Sequence, residues 1–275
     1  MKIIKNLSEI KNINSSKKIA IIPTMGAIHK GHISLIEKAQ ENNSFIIVSI
    51  FVNPIQFTNN EEYNNYPTSN NSDIEILKKS NVDVLFIPEM KDIYPQGFST
   101  NVDVGNIGKI LEGKFRPGHF SGVATILIKL FSLIKPDYAY FGQKDAQQCL
   151  VIKKLNNDLN LGVEIFINPT VRDENGIAIS SRNRKLTKNQ LNSAKSLFES
   201  LCLSRMLFEK GITNTKYIKD EMEKLIIKSN VSKIDYISIS NANTLEELAE
   251  ITPPTLISLA VWLGKIRLID NILLH

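Results

Sequence analysis

The residues with the clearest chemical potential are two histidines and two glycines near the N-terminus, in the run Pro23-Thr24-Met25-Gly26-Ala27-Ile28-His29-Lys30-Gly31-His32. The run lies between a strand-like apolar segment, residues 19–22, and a helix-like amphipathic segment, residues 34–40. A helix N-terminus presents unpaired backbone N–H groups and a partial positive charge. Glycines let a bulky anion approach the backbone, and the histidines add protonatable groups. The spacing predicts a phosphate-binding turn.

The order His-x-Gly-His is typical of enzymes that transfer a nucleotide from ATP. Two alternatives remain at this point. His29 and His32 are also compatible with polar capping of a surface turn. A zinc site is disfavoured because metal-binding histidine pairs usually lie four residues apart on one helix face, beside a glutamate.

A second segment with chemical potential is Phe51-Val52-Asn53-Pro54-Ile55-Gln56-Phe57, in which a strand-like run ends at Asn-Pro. Gln56 is a neutral donor and acceptor among apolar residues, suited to a carboxylate or hydroxyl of a substrate. A well-packed loop is the alternative interpretation.

The glycine-rich run Gly113-Lys114-Phe115-Arg116-Pro117-Gly118-His119-Phe120-Ser121-Gly122-Val123 precedes an amphipathic helix, residues 121–134. It fits neither the Walker spacing nor the dinucleotide fingerprint. His119 near Ser121 suggests a hydrolase, but no nucleophile elbow is present. We expect a structural loop in which Arg116 bridges toward the site.

Two further segments carry cations and hydroxyls. In Tyr140-Phe141-Gly142-Gln143-Lys144-Asp145-Ala146-Gln147-Gln148, Lys144 suits developing phosphate charge, and one glutamine, for which Gln148 is preferred, suits a substrate. Helix capping by Lys144 and Asp145 is the alternative. In Ile179-Ser180-Ser181-Arg182-Asn183, two hydroxyls and an arginine form a possible phosphate clamp.

Composition sets the broad class. The 275 residues are 43% hydrophobic and 22% charged, which is ordinary for a globular protein. No apolar run approaches the roughly 18 residues of a membrane span, and the N-terminus lacks the pattern of a secretory signal. We expect a cytoplasmic protein whose two cysteines, Cys149 and Cys202, are buried thiols. The net charge of +5 comes from scattered lysines and does not argue for nucleic acid.

Alternating strand-like and helix-like segments predict an α/β fold, with a Rossmann-like doubly wound parallel sheet in residues 1–171. The predicted strands cover residues 19–22, 45–52, 82–87, 138–141 and 163–167. A smaller α+β domain is predicted for residues 172–275, with helices at 187–210, 216–229 and 245–250 and strands at 234–240, 256–263 and 267–269. A capping box, Thr187 with Gln190, marks the start of the long helix.

Taken together, these five motifs in this order resemble the pantothenate synthetase (pantoate–β-alanine ligase) family, and the similarity runs from about residue 19 to 271. The resemblance implies a fold similar to that of class I aminoacyl-tRNA synthetases, a C-terminal lid, and a homodimer. It implies that ATP and Mg²⁺ activate pantoate as pantoyl adenylate, with release of pyrophosphate. β-Alanine then displaces AMP to form pantothenate.

The resemblance also assigns residues. It implies that Gln56 binds pantoate and β-alanine, that Gln148 binds pantoate, and that the protein itself supplies no dedicated metal cluster. Catalytic roles fall on His32, His29, Lys144 and Arg182. The implied ATP-binding residues are Met25, Gly26, Ala27, Ile28, His29, Lys30, Gly31, His32, Gly142, Gln143, Lys144, Asp145, Val171, Ile179, Ser180, Ser181 and Arg182.

Three positions depart from the family pattern: Glu112, Thr68 and Trp262. One competing interpretation is another His-x-Gly-His nucleotidyltransferase with a phosphate-bearing acceptor. The uncharged Gln56 and Gln148 argue against it, since a phosphate favours arginine. A non-catalytic RNA-binding relative would need a clustered basic face, which the sequence lacks.

Overall fold

The computed structural model describes residues 1–58, 60–67 and 70–275, and internal contacts divide the chain into two units. The first unit comprises Met1–Gln143 and Gln147–Pro169, and the second comprises Lys144–Ala146 and Thr170–His275. The main division, between residues 169 and 170, lies two residues before the position expected from the sequence. The short segment Lys144–Ala146 was not expected in the second unit.

The first unit is built on a six-stranded sheet in which every neighbouring pair is parallel. Its order is β1-β4-β3-β2-β5-β6. The strands are β1 (Lys2–Ile4), β2 (Ile19–Thr24), β3 (Phe45–Ile50), β4 (Val84–Phe86), β5 (Tyr138–Gly142) and β6 (Glu164–Asn168). All five strands predicted for this region are confirmed. The sequence analysis missed β1, because three residues are too few for a periodic signal.

Helices cover both faces of this sheet, which confirms the doubly wound architecture. One apolar cluster joins the sheet to α2 and α4, and a second joins it to α1, α7 and α8. The helices are α1 (Leu7–Lys11), α2 (Lys30–Glu41), α3 (Asn60–Asn64), α4 (Asn70–Lys79), α5 (Met90–Ile93), α6 (Glu112–Phe115), α7 (His119–Ile134) and α8 (Ala146–Asp158).

The strand order creates a switch point between β2 and β5. From β2 the chain moves outward through β3 and β4, whereas β5 and β6 extend the sheet on the opposite side. In open α/β sheets, ligands bind beyond the carboxyl ends of the strands at such a point. The chain leaves β2 directly into the His-x-Gly-His segment, so the topology places that segment where a ligand is expected.

The second unit is an antiparallel sheet of order β7-β8-β9 packed against two helices. The strands are β7 (Lys233–Asn241), β8 (Thr255–Leu263) and β9 (Ile266–Leu274), and the helices are α9 (Lys188–Glu209) and α10 (Thr215–Ile227). The predicted capping box is confirmed: the backbone N–H of Gln190 donates to Thr187 Oγ1, and the backbone N–H of Thr187 donates to Gln190 Oε1. The smaller α+β architecture is therefore confirmed.

The helix predicted at residues 245–250 is wrong. Asn241 Oδ1 accepts hydrogen bonds from the backbone N–H groups of Asn243 and Thr244, which forms a turn instead. Leu248 then donates its N–H to the Ile239 carbonyl, so the segment runs beside β7. The side-chain turn outcompetes a helix because six residues are too few for an independently stable one.

The expectation of two buried cysteines is half right. Cys149 is buried on α8, whereas Cys202 is exposed on α9. Buried positions of α9 include Leu197, Ser200, Leu201 and Ser204, and Cys202 lies outside that set. Its apolar neighbours in sequence therefore belong to a different face of the helix.

A buried carboxylate organises the end of the second sheet. Asp235, whose side chain is 1% exposed, accepts hydrogen bonds from Arg267 Nε at 2.7 Å and Trp262 Nε1 at 2.9 Å, and Lys233 Nζ lies 2.9 Å from its other oxygen. Burial opposes ionisation of Asp235, but the hydrogen bonds from Arg267, Lys233 and Trp262 outweigh it and lower the pKa of this carboxyl.

The lowered pKa of Asp235 predicts that the free energy of unfolding decreases at acidic pH. A carboxyl whose pKa is lower in the folded state contributes stability above its unfolded pKa and loses it as the pH falls through the folded value. We expect Asp235→Asn to lower the free energy of unfolding at pH 7 by about 1–3 kcal/mol, because charge-assisted hydrogen bonds are lost. Urea unfolding measures the free energy of unfolding of both proteins. The difference between Asp235→Asn and the unsubstituted protein should become smaller below about pH 4.

The control for this prediction is Asp220→Asn, which removes an exposed carboxylate from the same unit. It should change the free energy of unfolding little at either pH. An Asp235→Asn deficit of equal size at neutral and acidic pH would contradict the assigned cause.

Candidate active site

The turn between β2 and α2 is the centre of the candidate site. Gly26 has a φ of 86° and Ala27 a φ of 52°, so two successive residues adopt left-handed conformations. The helix begins at Lys30, four residues earlier than predicted, with His29 as its N-cap. His32 therefore lies within the first helical turn, where backbone N–H groups point toward any bound anion.

Asp73 of α4 holds this turn in place. Its Oδ2 accepts the N–H of Ala27 and its Oδ1 accepts the N–H of Ile28, both at 2.8 Å, and the residue is 1% exposed. A Cβ at Gly26 would lie 3.1 Å from Asp73 Oδ2 in addition to adopting an unfavourable φ. The carboxylate thus stabilises a backbone shape that only glycine tolerates easily at position 26.

The two histidines lie face to face. The ring centroids of His29 and His32 are 4.0 Å apart, with 19° between the ring planes. The backbone that carries the two rings is held by hydrogen bonds, because the N–H groups of His32 and Ile33 both donate to the His29 carbonyl. The first turn of α2 contains no acidic residue. The geometry combines two imidazoles with a helix N-terminus, as binding of an anion requires.

Gln56 lies against this turn. A short 3₁₀ helix, Pro54–Gln56, follows β3, and Gln56 is 7% exposed. Its Nε2 donates to Met25 Sδ at 2.8 Å, and its Oε1 accepts from Asn53 Nδ2 at 3.1 Å. Two residues from different predicted motifs, Met25 and Gln56, are therefore in direct contact.

The backbone of Gln56 is fixed by the glycine-rich segment. His119 Nδ1 lies 2.8 Å from the Gln56 carbonyl oxygen, which only accepts, so Nδ1 carries the hydrogen. His119 Nε2 then accepts from Arg116 Nη1 at 3.2 Å, and Arg116 Nη2 lies 3.3 Å from a carboxylate oxygen of Glu62. The expected structural loop is confirmed, since Arg116 reaches the Gln56 carbonyl through His119.

Gly122 allows α7 to approach the 3₁₀ helix Pro54–Gln56 closely. A Cβ at this position would lie 2.6 Å from both Gln56 Cα and the Ile55 carbonyl oxygen. Such a distance requires backbone movement, so α7 approaches the 3₁₀ helix this closely because residue 122 is glycine.

The structure separates the roles of the two adjacent glutamines. Gln147 is 5% exposed and uses its whole amide: Oε1 accepts from the N–H of Glu112, and Nε2 donates to the carbonyls of Ile107 and Ile110. Gln147 therefore supports a loop. This favours Gln148, which is only partly buried, as the ligand-facing glutamine of the pair.

In the second unit, Lys144 and Asp145 lie in a short 3₁₀ helix, Gln143–Asp145. Lys144 Nζ is 3.3 Å from Asp145 Oδ1, and their side chains are 17% and 48% exposed. The Lys144 carbonyl accepts from Asn271 Nδ2 at 2.9 Å. The cation is thus attached to a backbone that β9 holds.

A hairpin-like segment brings together the other predicted residues of this unit. The N–H of Ile179 donates to the Val171 carbonyl at 3.0 Å, and a 3₁₀ helix, Ser181–Lys185, follows. Ser180 Oγ donates to Asn183 Oδ1 at 2.6 Å, whereas Ser181 is buried. Arg182 is partly buried in the same turn.

Arg172 anchors this hairpin to β9. Its Nη1 and Nη2 form a two-pronged ion pair with Asp270, at 2.6 and 2.9 Å, and its guanidinium lies 3.9 Å from the centre of the Phe198 ring. Asp270 is 3% exposed. Adjacent residues of β9, Asp270 and Asn271, therefore support the hairpin and Lys144 respectively.

Burial perturbs two groups near Asn53. Burial raises the pKa of the Tyr94 hydroxyl well above its ordinary value, so this group is a protonated donor at neutral pH. Burial also lowers the pKa of Lys129, whose Nζ lies 4.6 Å from the centre of the Phe98 ring.

Comparison with known proteins identifies the family. The family model described as Pantoate-beta-alanine ligase matches residues 2–273. The chain belongs to the pantoate–β-alanine ligase family. It is 47% identical to a pantothenate synthetase of Caldicellulosiruptor saccharolyticus, and the alignment covers 100% of both chains.

Solved structures of other pantoate–β-alanine ligases agree with this fold. A pantothenate synthetase from Thermus thermophilus has a TM-score of 0.95 at 36% identity, with 99% of each chain covered. A pantoate–β-alanine ligase from Francisella tularensis, described as complexed with beta-gamma ATP and beta-alanine, has a TM-score of 0.83 at 38% identity. That match covers 99% of this chain and 97% of the other.

Some residues of this ligase's candidate site were missed by the sequence analysis. Asp73, Tyr94 and Asp270 contact site segments only through tertiary structure, and no local pattern distinguishes them. Asn53 stands inside a motif that carried the resemblance, and Asn271 stands at the end of the stretch that the resemblance covers.

The departures from the family pattern fall on supporting positions. Trp262 donates its indole N–H to Asp235, and the backbone of Glu112 binds Gln147. Thr68 lies outside the described residues.

The hydrogen bonds to Asp73 predict that the backbone amides of the turn are protected from hydrogen exchange. We expect Asp73→Ala to accelerate amide hydrogen exchange at Ala27 and Ile28, because both N–H groups lose their acceptor. Hydrogen–deuterium exchange of the folded protein measures this. Glu75→Gln, an exposed change on the same helix, is the matched control, and unchanged exchange at both amides in Asp73→Ala would contradict the assignment.

Proposed function

We propose that this ligase condenses pantoate with β-alanine through a pantoyl adenylate. A carboxylate oxygen of pantoate bonds to the α-phosphorus of ATP, while the bond from that phosphorus to the bridging oxygen breaks and pyrophosphate leaves. The amine of β-alanine then bonds to the acyl carbon, loses a proton, and AMP departs. Both steps are displacements that need positioning and charge neutralisation more than a protein nucleophile.

The observation that carries the proposal is a contact between two segments that follow neighbouring strands. One is the histidine-containing turn after β2, and the other is the 3₁₀ helix with Gln56 after β3. The stacked His29 and His32 at the start of α2 suit phosphate, and Gln56, bonded to Met25, suits an uncharged or carboxylate acceptor. Family membership supports the same assignment. An activated phosphate and an acid bound this close could react.

Within the first unit, residues 25–32 together with Gly142 and Gln143 would bind ATP. His32 is proposed to stabilise the charge that develops at the α-phosphate, and His29 to hold phosphate. Gln56 would bind pantoate and β-alanine, and Gln148 would bind pantoate.

Within the second unit, Lys144 and Arg182 would neutralise phosphate charge. The hydroxyls of Ser180 and Ser181 would add donors, and Asp145, Val171 and Ile179 would complete the ATP contacts. β9 binds both the Lys144 backbone and Arg172, the neighbour of Val171, which supports a common role, since groups that stabilise a transition state must be held in advance.

Mg²⁺ is proposed to arrive with ATP. Among the described residues, no group of three or more histidines, cysteines or carboxylates could hold a metal ion. Mg²⁺ suits such a site because it is commonly bound by substrate phosphates, water and one or two carboxylates. Asp145 is the carboxylate among the proposed ligands. When bound, the ion would supply charge neutralisation at the phosphates.

The same proposal extends to the roles of the two parts of the chain, to its assembly and to its location. Residues 1–171 would bind ATP and pantoate, and residues 172–275 would act as the lid. No helix in the described ranges combines the length and apolar character needed to cross a bilayer. A homodimer in the cytoplasm, with small-molecule substrates and no nucleic-acid partner, stays a prediction.

The adenylate step has a direct test. We expect pantoate-dependent exchange of radiolabelled pyrophosphate into ATP without β-alanine, because the first step is reversible and precedes amide formation. Omission of pantoate is the control. A preparation that makes pantothenate but shows no exchange would overturn the adenylate intermediate while leaving the family assignment intact.

His32 and Lys144, which are proposed to stabilise phosphate charge, have a separate test. We expect His32→Ala and Lys144→Ala each to lower kcat by about 10²–10³, because each removes a donor aimed at developing charge. Circular dichroism should show retained fold. Lys38→Ala, an exposed change on α2, should keep full activity, and unchanged turnover in either site variant would contradict its role.

A further inference from the structure

One hydrogen-bonded chain reaches from a buried tyrosine to the proposed pantoate ligand. Tyr94 OH donates to Asn53 Oδ1 at 2.7 Å, and Asn53 Nδ2 donates to Gln56 Oε1 at 3.1 Å. Gln56 Nε2 then faces Met25 Sδ at 2.8 Å. All four residues belong to the first unit.

The direction of this chain follows from donor and acceptor chemistry. An amide oxygen only accepts, so Asn53 Oδ1 must receive the hydrogen of the Tyr94 hydroxyl. The Gly122 carbonyl likewise only accepts, and it lies 3.0 Å from Asn53 Nδ2. Asn53 is therefore oriented from both ends, and it presents an N–H group to Gln56.

The same logic orients Gln56. Its oxygen is engaged by Asn53, which leaves the amide nitrogen turned toward the substrate side, beside Met25. A thioether is a weak acceptor, so an oxygen of a carboxylate or hydroxyl would compete well for this donor. Gln56 is thereby prepared to donate to an oxygen acceptor.

We propose that Tyr94 is a positioning residue that, through Asn53, holds Gln56 with its N–H groups toward the oxygen atoms of the hydroxy-acid substrate. The proposal rests on the proposed function of the site. Aromatic packing holds the Tyr94 ring independently of its hydroxyl, since the ring lies 4.9 Å from Phe98 and 6.0 Å from Phe51 between centroids.

Tyr94→Phe tests this inference because it removes the hydroxyl and keeps the ring. Asn53, which is 1% exposed, loses the donor at its oxygen, and the Gln56 amide gains rotational freedom. We expect the KM for pantoate to rise about three- to tenfold in pyrophosphate exchange, with the KM for ATP unchanged. A general structural defect would affect both constants.

Tyr140→Phe is the matched control. Its hydroxyl is also buried and bonded to a side-chain amide, Asn42 Nδ2 at 2.7 Å. We expect this variant to keep the KM for pantoate. Thermal unfolding of both variants establishes that each is folded.

A double-mutant cycle separates action through Gln56 from action elsewhere. Because Tyr94 acts through Gln56, adding Tyr94→Phe to Gln56→Ala should not raise the KM for pantoate further. An unchanged KM for pantoate in Tyr94→Phe, or full additivity in the double variant, would overturn the inference. Absence of pantoate-dependent exchange in the unsubstituted protein would instead overturn the proposed function.

Discussion

The site depends first on two hydrogen bonds from a turn to one buried carboxylate. The turn after β2 must reverse the chain between Thr24, where β2 ends, and Lys30, where α2 begins. Left-handed conformations at Gly26 and Ala27 accomplish this, at a conformational cost for Ala27. Asp73 offsets that cost by accepting the N–H groups of Ala27 and Ile28. His29 and His32, whose rings stack, come directly after this turn.

In the second unit, two adjacent residues of β9 have a comparable importance. Asp270 fixes the Arg172 guanidinium, and Asn271 donates to the Lys144 carbonyl. A regular strand is a rigid support, so side chains attached to it lose little further freedom when a ligand binds. The loops carry the polar groups proposed to bind ATP, but the strand determines where their backbones lie.

Departures from a family pattern are tolerated when the replacement preserves the physical role of the position. Trp262 is one of the expected departures, and its indole N–H donates to the buried Asp235. Glu112 stands in a closely packed segment, since its N–H donates to Gln147 Oε1 and a Cβ at the neighbouring Gly113 would lie 2.0 Å from the Gly108 carbonyl oxygen. At both positions, the residue present makes a contact that supports the surrounding structure.

The sequence by itself determined the alternation of strands and helices, the capping box at Thr187, and the motifs that contain Gln56 and the two histidines, because periodicity, capping and motif spacing are local properties. Local pattern was insufficient for β1, which is too short, and for residues 245–250, which follow a turn formed by the Asn241 side chain and run beside β7. Only the tertiary structure decided that Asp73 binds the turn 46 residues before it, that Tyr94 orients Asn53 and Gln56, and that Gln147 supports a loop. These pairings join distant segments through side-chain hydrogen bonds, and such bonds have no periodic signature along the chain.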